Sequence, residues 1–191
     1  ESIKDFLKPK SEEDILKLTE NLSDEEKLIK GCKYGIISLV KQSLDNGVDP
    51  SYNNNNAIQT ASLNGHFEIV KLLLQDKRVD PSAQNNCAIL FASEKGQIDI
   101  VKLLLQDERV DPSDQNNDSI WWAYQNGHID IVKLLLNDKR VRNTLPYVSI
   151  EKYQKQIQGL NESIKDFLKP KSEEDILKLS QNLADKEKLL K

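Results

Sequence analysis

Two histidines and two cysteines are the side chains of this chain best suited to chemistry. His66 and His128 could serve as general bases or metal ligands. Each follows a glycine and opens an apolar run, Gly65-His66-Phe67-Glu68-Ile69 and Gly127-His128-Ile129-Asp130-Ile131. Neither has a cysteine at metal-ligand spacing, so a structural place at a helix start is expected for both. Cys32 adjoins Gly31 and Cys87 opens a repeated segment; both read as small packing residues, not nucleophiles. The carboxylate runs Glu12-Glu13-Asp14 and Asp24-Glu25-Glu26 fall where helices begin, and there they complement the helix dipole. Seven glycines are scattered and form no phosphate-cradling loop. No catalytic residue, metal site or cofactor is therefore expected, and an enzyme is not.

Composition narrows the class. Of 191 residues 38% are hydrophobic and 30% charged, with a net charge of −4. That fits a thin, extended core better than a thick one. There is no basic excess for nucleic acid and no apolar run near the roughly 18 residues of a membrane span. Two cysteines make no disulfide framework, so an intracellular, cytoplasmic setting is expected. The chain contains no methionine and opens on Glu1, which reads as a boundary within a longer or processed product.

The elements that position these residues recur. Gly65, Gly96 and Gly127 are spaced 31 apart. Ile69-Val70-Lys71-Leu72-Leu73-Leu74 returns at 100–105 and 131–136, and Gln75-Asp76-Lys77-Arg78-Val79-Asp80-Pro81-Ser82 returns at 106–113 with one change. A degenerate copy precedes them around Gly35 and Val48-Asp49-Pro50-Ser51. Each unit predicts a short first helix ending at its glycine, a second helix with a broad apolar face, and an extended Val-Asp-Pro-Ser turn. The Asn-rich stretches 53–56, 85–86 and 116–117 suit β-turn tips, because Asn tolerates positive φ. Asp99–Lys102 and Asp130–Lys133 fall three residues apart on the second helices. One such unit cannot bury its leucines alone, so the units must stack as a solenoid.

The segments Gly65-His66-Phe67-Glu68-Ile69-Val70-Lys71-Leu72-Leu73-Leu74 and Gly127 to Leu136 resemble the second-helix signature of ankyrin repeats. The resemblance covers about residues 24–143 and implies an all-α, ankyrin-type solenoid of about four repeats (24–52, 53–83, 84–114, 115–143) with β-turn tips. The family's Thr-Pro-Leu-His opening is replaced here by Asn56-Ala57-Ile58-Gln59, Cys87-Ala88-Ile89-Leu90 and Asp118-Ser119-Ile120-Trp121. The resemblance also implies a non-catalytic scaffold that binds a protein partner on the concave side. By position that side takes Tyr52, Asn53, Asn55, Gln84, Asn86, Asp114, Gln115 and Asn117 from the tips. Phe91, Lys95, Trp121, Trp122, Tyr124 and Asn126 come from the first helices. The column Thr60, Phe91, Trp122 grows more aromatic towards the C-terminus, and aromatics are enriched in interface hot spots. The competing reading of Trp121 and Trp122 is that they pack beneath a closing C-terminal helix.

Both ends carry helical segments of nearly one sequence. Residues 162–191 repeat residues 1–30 except at Thr19/Ser180, Glu20/Gln181, Ser23/Ala184, Glu25/Lys186 and Ile29/Leu190. Residues 1–23 predict a helical pair broken at Pro9, with Ile15, Leu16, Leu18 and Leu22 marking the second helix. Ser23 with Glu26 predicts a capping box that starts the first repeat. Residues 144–161 predict a closing helix or linker after Pro146. The near-copy gives two further expectations: caps on both ends of one solenoid, or a 161-residue building block joined head to tail with other copies of itself.

Overall fold

The computed structural model describes residues 11–145. The segment before Ser11, with its Pro9 break, lies outside the described residues. So do the closing segment from Pro146 and the near-copy at 162–191. Backbone contacts divide the chain into two units, Glu1–Arg142 and Asn143–Lys191. The architecture described here belongs to the first.

A short helix α1 (Glu12–Thr19) precedes four helix pairs. These are α2 (Asp24–Tyr34) with α3 (Ile37–Asp45), α4 (Tyr52–Asn64) with α5 (Phe67–Leu73), α6 (Ala83–Glu94) with α7 (Ile98–Leu104), and α8 (Asp114–Gln125) with α9 (Ile129–Asn137). A last short helix, α10, spans Lys139–Thr144. The described residues form helices with no strand, an all-α repeat stack. Within each pair the two helices pack on each other. Between pairs, α2, α4, α6 and α8 stack in series, as do α3, α5, α7 and α9.

The reason for the pairing is local. Gly35, Gly65, Gly96 and Gly127 all take positive φ, from 76° to 80°, and end their helices left-handed. The residue after each glycine then donates its N–H five residues back: His66 to the Ala61 carbonyl at 3.0 Å, Gln97 to Ala92 at 2.9 Å and His128 to Ala123 at 2.8 Å. This closure satisfies the last carbonyls and turns the chain straight into the second helix. The Asp99–Lys102 and Asp130–Lys133 pairs close at 3.2 and 3.1 Å.

The core repeats with the sequence. Ile58, Ile89 and Ile120 are buried from the first helices; Ile69, Val70 and Leu73 from a second helix recur as Ile100, Val101 and Leu104 and as Ile131, Val132 and Leu135. Leu72 and Leu74 of the expected apolar face are only half-buried. The first helices meet through small residues, Ala57, Ala61 and Ser62, then Ala88, Ala92 and Ser93, then Ser119 and Ala123. They approach one another more closely than the leucine-rich second helices do.

At the N-terminal end the capping box forms: Glu26 donates its N–H to Ser23 Oγ at 3.2 Å, and Glu26 Oε2 accepts from the Ser23 N–H at 3.0 Å. Ser11 caps α1 one way only, accepting from the Asp14 N–H at 3.1 Å. Of the residues that mark α1, Ile15 is buried, whereas Leu16 and Leu18 are exposed and Leu22 is half-buried, because about two turns of helix are buried only along Ile15 and Thr19.

Candidate functional site

The tips differ from the expected form in where the β-turn falls. Asp49-Pro50-Ser51-Tyr52 is the β-turn, closed by the Tyr52 N–H on the Asp49 carbonyl at 3.1 Å; Ala83 to Asp80 and Asp114 to Asp111 repeat it at 3.3 Å. Proline fixes the second position of a type I turn and Asp suits the first. Asp49 Oδ1 also accepts from the Ser51 N–H and Oγ at 2.9 and 2.8 Å, a pairing repeated by Asp80–Ser82 and Asp111–Ser113. The Asn-rich stretch that follows is not the β-turn but three left-handed residues in a row: 53–55, 84–86 and 115–117, with φ between 51° and 68°. An i→i+4 bond closes each run, as from the Asn55 N–H to the Ser51 carbonyl at 2.9 Å. Asn bears this conformation better than most residues, which accounts for the composition.

A left-handed run turns successive side chains differently, so the expected binding residues of the tips fall into two groups. Asn53, Gln84 and Gln115 point to solvent with Tyr52. Asn55, Asn86 and Asn117 are buried, at 7%, 5% and 2% exposure. Asn55 Oδ1 accepts from the Asp80 N–H at 2.8 Å and Asn86 Oδ1 from the Asp111 N–H at 2.7 Å, so each ties its tip to the β-turn of the next tip. Asn86 Nδ2 also donates to Asp114 Oδ2 at 2.8 Å, which commits half-buried Asp114 to the same joint.

From the first helices, Lys95, Trp121, Trp122 and Asn126 are exposed, and Phe91 and Tyr124 are half-buried. The two tryptophans keep 40% and 37% of their surface open and meet edge to face, centroids 4.8 Å apart at 87°. Lys95 pairs with Glu94 at 2.6 Å. Gln59, which stands where the family's histidine would, donates to the Asn54 carbonyl at 2.8 Å. The exposed part of this side therefore consists of amides and aromatics with few formal charges.

The chemically suited residues take structural places. His66 Nε2 donates to the Lys33 carbonyl at 3.1 Å and His128 Nε2 to the Glu94 carbonyl at 2.9 Å, each from one repeat to the one before. Burial pushes the Cys32 thiol up to about 12, which keeps it protonated. Partial burial and then the Asp114 carboxylate also raise the Cys87 thiol. Among the described residues no cluster of His, Cys, Asp and Glu could hold a metal, and no helix is long and apolar enough to cross a membrane.

A second inter-repeat device was missed by residue-type reasoning. Arg78, Arg109 and Arg140 each clasp the aspartate two residues earlier, Asp76, Asp107 and Asp138, at 2.6 to 2.7 Å. Arg109 Nη1 also reaches back to the Val79 carbonyl at 2.8 Å, and Arg140 Nη1 to the Val110 carbonyl at 2.6 Å. The arginine hydrogen bonds hold all three carboxyls below their ordinary range. The signal was present: Asp-x-Arg recurs at the 31-residue period even where neighbouring positions vary.

No curated protein matches this chain. The family model for ankyrin repeats (3 copies) matches residues 28–116 and 80–145, more than half of the sequence. With its helix pairs, glycine stops and repeat-to-repeat ties, the chain belongs to the ankyrin-repeat family.

Proposed function

We propose that this chain is a non-catalytic scaffold that holds a protein partner on the side formed by its tips and first helices. Ankyrin repeats mediate protein–protein interactions. The choice of side rests on spacing. Small residues let the first helices approach more closely than the second helices, so the stack curves towards the first-helix side and makes it concave. The observation that carries the reading is the exposed, edge-to-face Trp121–Trp122 pair of a first helix; Lys95 and Asn126 at first-helix ends and Tyr52, Asn53, Gln84 and Gln115 at the tips are exposed as well. Large aromatics kept in water are costly to leave uncovered and are the usual anchors of interfaces.

Immobilised chain and its Trp121→Ala/Trp122→Ala variant, compared for proteins retained from a cell lysate, test this. Partner capture drops at least tenfold in the variant while its melting temperature is unchanged. A Lys71→Glu/Lys102→Glu control on the second helices keeps capture. Equal capture by all three proteins rejects the first-helix side; a lowered melting temperature for the tryptophan variant makes the pair part of the core instead.

A further inference from the structure

The N-terminal end of the stack is closed by a helix with few attachments. In α1 only Ile15 and Thr19 are buried. Ile15 packs with Ile36 and Leu39 of the first repeat, with Tyr34 against the same cluster. Across the seam Glu12 Oε1 accepts from Ser38 Oγ at 3.3 Å. Thr19 Oγ1 is spent on the Leu16 carbonyl of its own helix at 2.9 Å. Three residues, Glu20 to Leu22, tether α1 to the capping box of α2.

The sequence of α1 occurs a second time, and the second copy matches where the contacts are. Ser11, Glu12, Asp14 and Ile15 recur as Ser172, Glu173, Asp175 and Ile176. Thr19 recurs as Ser180, which keeps the hydroxyl that the helix uses. The other differences between the copies fall on Glu20, Ser23 and Glu25, which are exposed, and on half-buried Ile29, none of them within α1. Each residue that seats α1 on the first repeat is therefore available twice per chain.

We infer that the face formed by Tyr34, Ile36 and Leu39 is a docking site for residues 172–180 of a second copy of this chain, which replace α1 there and link the copies head to tail. Such an exchange joins a tail surface to a different, head surface. It does not close on itself and extends into open chains. The resident α1 competes from a short tether and so at high effective concentration, which confines the linkage to concentrated protein. The contact uses the end of the stack and leaves its first-helix side free.

Light scattering of the full chain and two variants over a concentration series tests the exchange. Ile15→Asp dislodges the resident helix and leaves Ile176 intact. Its mean mass rises to twice the monomer or more at concentrations where the unaltered chain is monomeric, and Ile15→Asp/Ile176→Asp restores the monomer. A helical but monomeric Ile15→Asp protein overturns the inference, as does a double variant that associates as strongly as the single one. Far-UV circular dichroism reports helix content. If aspartate at 15 lowers it, Ile15→Ala with and without Ile176→Ala gives the same comparison with a smaller perturbation.

Discussion

Single polar side chains inside this stack fall into two kinds, and they predict opposite mutational signs. Asn86 is buried and fully used: its oxygen takes the Asp111 N–H and its amide feeds Asp114. Asn86→Ala leaves the partly buried Asp111 N–H without its acceptor, a loss of about 1 kcal/mol that chemical denaturation would measure. Ser62 and Ser93 are buried with no hydrogen-bond partner for either hydroxyl. Removing an unpaired buried hydroxyl relieves its desolvation, so Ser62→Ala and Ser93→Ala should each raise stability by about 1 kcal/mol. Neither role was legible beforehand. The Asn-rich stretches announced positive φ, but which of three consecutive amides turns inward depends on the rotation of a left-handed run and on where the next repeat presents an N–H.

At the scale of elements, the helix pairs and their glycine stops were readable because two apolar periodicities and a positive-φ requirement recur in phase. The turn itself was misplaced by a few residues: proline fixed the Asp-Pro-Ser corner, and the asparagines came after it. The glycines carry a second duty that spacing alone does not reveal. A Cβ on Gly96 would come within 2.7 Å of the His128 ring, whereas one on Gly127 would meet none of the described residues within 4 Å. Both have positive φ, so alanine at either costs about 1–2 kcal/mol in backbone strain. Gly96→Ala should cost more than Gly127→Ala, since it also displaces the His128 bond to the Glu94 carbonyl; thermal melts of the pair would show the gap. The arginine clasps give a pH signature. The Arg140 guanidinium holds Asp138 below its ordinary value of 3.8. A carboxyl with a lowered folded pKa adds stability above its unfolded pKa and loses it as pH falls through the folded one. Asp138→Asn should therefore lower the denaturation free energy fully at pH 7. Its difference from the unaltered chain should shrink below about pH 4. Parallel curves down to pH 2 would contradict the clasp.

For the whole molecule, a core one repeat thick explains the modest hydrophobic content: each helix pair needs only its neighbours. Family and stacking followed from the repeats, while the surface that a partner would meet did not, because exposure is decided by the packing of adjacent pairs. The ties between repeats bear on how the stack carries force. Histidine bonds reach from the second repeat to the first and from the fourth to the third, and arginine bonds from the third to the second and from the fourth to the third. A pull applied between residues 24 and 142 would load these seams. Optical-tweezers traces should show stepwise extension, each step releasing one 31-residue unit, or about 100 Å of extended chain. The stack would then behave as a spring that yields by whole turns.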